Sequence, residues 1–188
     1  MLLKLQILIV ILLLSSSLLL AESANEWYNK GKTLSKQGKY KEAIKCFDEA
    51  LKLNPNYIDA WMDKGCILYY QENFSKAIKC YGKVIQIDPN YINAWMLTGH
   101  ALSNQKQYED AIKCYNKALE INPNDSDIWI CKANTYSDWK KYEEAISCID
   151  KLIKSDPNNV DLWKHKGLMF SNWGRYEEAI KFYDTALE

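Results

Sequence analysis

Tryptophan returns at an unvarying interval of 34 residues, at Trp27, Trp61, Trp95, Trp129 and Trp163, which commits the chain to building one structural unit again and again. Other positions keep the same beat. Four residues after each tryptophan stands Gly31, Gly65, Gly99, Ala133 or Gly167, and nine further on Tyr40, Phe74, Tyr108, Tyr142 or Tyr176. The register continues through Ala43, Ala77, Ala111, Ala145 and Ala179, and all four prolines, Pro55, Pro89, Pro123 and Pro157, share one more equivalent position. The units are 24–57, 58–91, 92–125, 126–159 and 160–188, the fifth lacking its last five positions.

Each unit carries two stretches of helical periodicity. In the first, Trp27, Gly31 and Leu34 share a face of one helix, and Tyr40, Ala43, Phe47, Ala50 and Leu51 share a face of the next. Lys36-Gln37-Gly38-Lys39 turns between them, and Asn54-Pro55 ends the second helix because proline has no amide donor. Small Gly31 and Ala43 predict a close approach of the two helices, with Trp27 and Phe47 filling the space at either side. The turn glycine is replaced by Glu72, Lys106 and Lys140 in the next three units, where a left-handed backbone costs about 1 kcal/mol, so looser turns are expected there. Gly82, inside a second helix, is expected to weaken it by about as much.

The pattern W, G/A, Y, A, F/Y, A, P at these spacings resembles the tetratricopeptide repeat, and it covers residues 24–188. The resemblance implies an all-α fold, a right-handed superhelical solenoid of antiparallel helix hairpins whose first helices line a concave groove for a protein or peptide. The RNA-binding pentatricopeptide family has a similar hairpin at a period of 35, which the interval here does not match. The 24 Lys+Arg balance the 24 Asp+Glu, leaving no long-range attraction for a phosphate backbone, so no nucleic-acid partner is expected.

Catalytic signatures are missing from the sequence. His100 and His165 fall at different repeat positions, and there is no HExxH, CxxC, GxSxG or glycine-rich phosphate loop. The reading is therefore a non-enzymatic interaction scaffold with no cofactor and no metal site. The alternative is the sensing or adaptor portion of an enzyme or larger repeat protein. Of six cysteines, Cys46, Cys80, Cys114 and Cys148 occupy one repeat position, which puts them about 10 Å or more apart, beyond the roughly 7 Å reach of a disulfide. They read as small packing residues, and Cys114 with Cys131 is the best bridging candidate.

Carrying the family's groove positions over implies a partner-binding surface of Tyr28, Lys32, Met62, Cys66, Tyr69, Met96, His100, Ile130, Asn134 and Leu168. Tyr28, Met62, Met96 and Ile130 form an apolar stripe suited to a peptide with apolar anchors, unless these side chains are spent on packing between helices. One family variant clamps the carboxylate of chaperone tails with Lys and Asn; Tyr28, Lys32, Asp63 and Leu97 at the corresponding places disfavour that role. Trp139 and Trp173, outside the repeat pattern, occupy one turn-adjacent position and read either as an exposed aromatic ledge or as packing beneath the turn.

The ends differ from the repeats. Residues 1–23 hold Lys4, an apolar run and Ser15-Ser16-Ser17, and predict either a secretory signal cleaved between Ser23 and Ala24 or an uncleaved membrane anchor engaging membrane or export machinery. An exported or membrane-anchored protein is the expectation, its orientation unset because lysines stand on both sides of the run. At the other end Ile180, Tyr183 and Leu187 are expected to present an uncovered apolar face, through which the chain self-associates or continues.

Overall fold

The computed structural model describes residues 22–187, and these residues form ten α-helices and no strand. In chain order they are α1 (Ala24–Lys36), α2 (Tyr40–Leu53), α3 (Ile58–Tyr70), α4 (Phe74–Ile87), α5 (Ile92–Asn104), α6 (Tyr108–Ile121), α7 (Ser126–Asp138), α8 (Tyr142–Ser155), α9 (Val160–Asn172) and α10 (Tyr176–Thr185). The chain divides into two compact units, the first ending at Lys64 and the second beginning at Gly65, within α3.

A steric fit holds the helices of a hairpin together. A Cβ added to Gly31, Gly65, Gly99 or Gly167 would stand 2.5–2.6 Å from the ring of Phe47, Tyr81, Tyr115 or Tyr183 respectively, so each glycine is the seat of one aromatic ring. The fourth hairpin confirms this by exception: Ala133 stands where the others carry glycine, and fully buried Ile149 stands where they carry an aromatic. One methyl group is added to the first helix and a ring is removed from the second, conserving the volume at the contact.

The repeat's tryptophan does more than fill space. The indole nitrogen of Trp61, Trp95, Trp129 and Trp163 donates to the carbonyl of Pro55, Pro89, Pro123 and Pro157, at 2.9, 2.9, 2.9 and 2.8 Å. Proline ends the second helix, and its carbonyl then accepts the one polar group of the next repeat's largest side chain.

The turns within hairpins are all of one kind, contrary to the looser ones expected at Glu72, Lys106 and Lys140. These three residues take positive φ values of 58°, 62° and 62°, as Gly38 and Gly174 do at 75° and 83°. Each of the five turns closes with the same two bonds to the end of the preceding helix, for example Lys106 N to Ser103 O at 2.8 Å and Gln107 N to Leu102 O at 2.9 Å. Satisfying the helix's last carbonyls outweighs the left-handed cost, so the strain is borne without opening the turn. Gly82 likewise does not shorten α4, which has the same 14 residues as α2, α6 and α8.

Ser23, assigned by sequence to the leader, is the N-cap of α1. Its side chain accepts from Glu26 N at 3.2 Å while the Glu26 carboxylate accepts from Ser23 N at 2.6 Å, a reciprocal capping box. The expectation of an exported or membrane-anchored protein is corrected: no helix among the described residues is long and apolar enough to cross a membrane. The apolar run on which that expectation rested lies outside the described residues.

Gly99→Ala drives a methyl group into the Tyr115 ring and should destabilise the protein by about 1–3 kcal/mol in urea denaturation. Adding Tyr115→Ile should restore most of that loss; simple addition of two destabilising effects would refute the steric coupling.

Candidate protein-binding surface on the first helices

The candidate groove residues of the second unit lie on α3, α5, α7 and α9, where packing leaves one side of each helix partly open. Met96 and Ile130 are half-buried, packed against the cores around Ile112 and Ile149. Leu168 is 42% exposed, Tyr70 is 82% exposed, and Asn93, Asn104, Asn134 and Asn172 are exposed amides. In the first unit Tyr28 is half-buried, Lys32 is exposed with its Nζ 5.6 Å from the Tyr28 ring centroid, and Met62 is only 9% exposed. Met62 is thus committed to packing and is not an open anchor.

Several candidates are used between neighbouring first helices. The Tyr28 hydroxyl donates to Asp63 Oδ2 at 3.1 Å, Asn104 donates to the Tyr69 hydroxyl at 2.9 Å, and Asn172 donates to Ser137 Oγ at 3.0 Å. All three pairs are 35 residues apart, one more than the repeat. Thr135 Oγ1 adds a bond to Ser103 Oγ at 3.2 Å. Sequence reasoning missed this polar ladder because it compared equivalent positions; scanning for polar pairs at an offset of 35 would have found it. Asp63 is half-buried, and burial raises its carboxyl pKa above the ordinary value, against the lowering by Tyr28's hydrogen bond and Lys32.

His100 and Cys131 form the closest contact, Nε2 to Sγ at 2.8 Å, joining α5 to α7. The His100 ring also meets Tyr115 edge-on at 5.9 Å. Burial lowers the His100 pKa and pushes the Cys131 thiol up to about 11, so both groups are neutral at physiological pH. A neutral thiol beside a neutral imidazole is not an activated nucleophile. Cys114 and Cys131 are not bridged. Cys66 receives the Tyr81 hydroxyl at 3.7 Å. Among the described residues no group of three or more His, Cys, Asp or Glu is placed to hold a metal ion.

Trp139 and Trp173 do not stand clear as a ledge. Both are half-buried, Trp139 against Tyr108 with ring centroids 6.1 Å apart and Trp173 stacked on Tyr142 at 5.7 Å. Lys141 Nζ covers Trp139 at 3.7 Å and the Arg175 guanidinium covers Trp173 at 4.5 Å, so each ring is held between the preceding repeat and a cation. Ile180 and Tyr183 on α10 and Leu187 just beyond it are exposed, although Tyr183 also keeps one edge of its ring against Gly167.

The His100 environment has a definite pH consequence. The unfolded chain protonates this histidine near 6.5, while the folded chain resists until lower pH. Its contribution to stability is therefore complete above about 6.5 and is lost as pH falls through the lowered folded pKa. Denaturation midpoints across this range should fall less steeply in His100→Gln than in the wild type; parallel curves would show that His100 carries none of the dependence.

Residues 24–57 and 58–91 match the tetratricopeptide repeat family, and residues 83–188, more than half of the chain, match the family described as cytochrome c-type biogenesis protein H TPR domain. No curated protein matches the chain. Among solved structures, MamA from Desulfovibrio magneticus is 20% identical with a TM-score of 0.75, the match covering 87% of this chain and 93% of that one. YrrB, described as a TPR protein with an unusual peptide-binding site, is 21% identical with a TM-score of 0.68, over 88% of this chain and 85% of that one. A tetratricopeptide repeat protein from Parabacteroides merdae is 19% identical with a TM-score of 0.76, over 87% of this chain and 64% of that one. These likenesses are of fold, and together with the sequence matches they establish that the chain belongs to the tetratricopeptide repeat family, its residues 83–188 to the TPR domain family of cytochrome c-type biogenesis protein H.

Proposed function

We propose that the chain is a protein-interaction module that binds a peptide or helical segment of a partner along its first helices. The observation that carries this reading is the composition of the open side of α5, α7 and α9. Partly exposed Met96, Ile130 and Leu168 offer apolar contact, and exposed Asn93, Asn134 and Asn172 beside them offer amide hydrogen bonds to a peptide backbone. Met96 is unbranched and adaptable, which suits a surface that accommodates a side chain from outside. The peptide-binding site in the description of YrrB supports the same use of the fold. The match of residues 83–188 to a biogenesis protein's domain supports the adaptor reading, in which the bound segment belongs to a protein undergoing assembly. Exposed Ile180 on α10 and exposed Leu187 just beyond it form a second, homotypic contact surface in this proposal.

Peptides selected from a displayed library against the wild-type chain provide the ligands for the test. Ile130→Glu places a charge in the apolar contact and should weaken their binding by about tenfold or more, with helicity by circular dichroism retained. Unchanged affinity would remove this surface as the binding site. For the homotypic contact, sedimentation velocity should show a concentration-dependent increase in the wild type that Ile180→Lys reduces; identical profiles would remove that surface from the proposal.

A further inference from the structure

One repeat position on the first helices is occupied by Lys64, Thr98, Lys132 and Lys166, each standing 16 residues after Asp48, Gly82, Asn116 and Asp150 on the preceding second helix. Where that residue is an acid, the pair closes: Lys64 Nζ lies 2.5 Å from Asp48 Oδ1 and Lys166 Nζ 2.6 Å from Asp150 Oδ1. Where it is Gly82, the first-helix residue is Thr98, whose hydroxyl bonds Ala94 O within its own helix at 2.7 Å. The fourth repeat breaks the compensation. It keeps Lys132 but has the amide Asn116 in place of the acid.

Lys132 is half-buried, and burial, together with the nearby Lys151 charge, lowers its pKa. Its Nζ lies 4.8 Å from the Trp129 ring centroid and 5.9 Å from that of Tyr136, and Lys151 Nζ lies 4.1 Å from the same Trp129 ring. Among the described residues neither lysine forms an ion pair of the kind that Lys64 and Lys166 form. The Trp129 ring that both lysines approach is held in place, because its nitrogen donates to Pro123 O at 2.9 Å.

These groups line a cleft of about 540 Å³ between α7 and α8, with Glu143 and Glu144 also on its wall. The two helices run antiparallel, and Glu143 is eight residues before Lys151, or about 12 Å along α8. The cleft is therefore polarised, cationic and aromatic at the Trp129 end and acidic at the Tyr136 end. An adjoining slot of about 260 Å³ shares Trp129 and Lys151 and extends the cationic end toward Pro123. Lys132 is two residues from Ile130, about 160° around the helix, so this cleft is separate from the proposed groove.

We infer that the Trp129 end of this cleft binds the carboxylate of an Asp or Glu side chain in a partner peptide, the peptide supplying the counter-charge that Asp48 and Asp150 supply elsewhere in the array. Two ammonium groups offer the charge-assisted hydrogen bonds, and the fixed indole face supports the apolar stem of the acidic side chain. Glu143 and Glu144 repel a second negative charge further along, so the site takes an isolated acid and not a polyanion.

The test is a lysine-acylation footprint on the full chain, read by mass spectrometry at Lys132 and Lys151 with exposed Lys154 as the internal reference. The probes are the blocked pentapeptide Gly-Gly-Glu-Gly-Gly, its Gln counterpart and inorganic phosphate at equal concentration. The Glu peptide should slow labelling of both lysines by about threefold, and the Gln peptide should not. Asn116→Asp installs the missing acid within the chain and should abolish the protection while leaving the library-selected peptides bound to the groove. Equal labelling with Glu and Gln peptides overturns the site, and equal protection by phosphate overturns its assignment to a peptide carboxylate. Loss of groove binding in Ile130→Glu with the footprint intact would separate this site from the groove.

Discussion

The bond from the indoles of Trp61, Trp95, Trp129 and Trp163 to the proline carbonyl of the preceding repeat is the joint on which the architecture depends. Proline does two things at once. Lacking an amide hydrogen it stops the second helix, and its carbonyl, no longer used by a helix, becomes an acceptor pointing toward the next one. The indole has a single donor, so satisfying it fixes the orientation of the largest side chain in the repeat. That orientation in turn sets where the next first helix begins relative to the loop before it. Within the hairpin, the ring seated on glycine performs the corresponding task for the two helices.

Because these joints recur, departures from the repeat can be sorted by whether they are compensated. Ala133 is compensated by Ile149, and the left-handed Glu72, Lys106 and Lys140 by the paired bonds that close their turns. Thr98 opposite Gly82 needs no acid because its hydroxyl is satisfied within its own helix. Lys132 opposite Asn116 has no such answer inside the hairpin stack, and two rings and a second lysine gather around it instead.

The candidate groove presents the opposite case. Tyr28, Tyr69 and His100 stand at positions that a groove would use, yet each also bonds a neighbouring helix. Their first task is to tie adjacent helices together, and only the parts of their surface left over are available to a partner. Met62 has no surface to spare, whereas Leu168 and Asn134 do. Of the apolar stripe legible in the sequence, Met62 is closed by packing, while Met96 and Ile130 remain partly open.

The period of 34, the helix faces, the glycine and alanine contacts and the proline stops were all written in the sequence, because each is a relation within one repeat or between equal positions of successive repeats. Family and helix pairing followed from them. What only the tertiary structure decided are the contacts at unequal positions: the ladder at an offset of 35, His100 on Cys131, the lysine and acid pairs at an offset of 16, and the tryptophan bond to proline across six residues. Periodicity says which residues share a role, but hydrogen bonds and ion pairs depend on distances of about 3 Å between particular atoms. Those distances are set by how one helix is displaced against the next, and that displacement exists only once the side chains have packed.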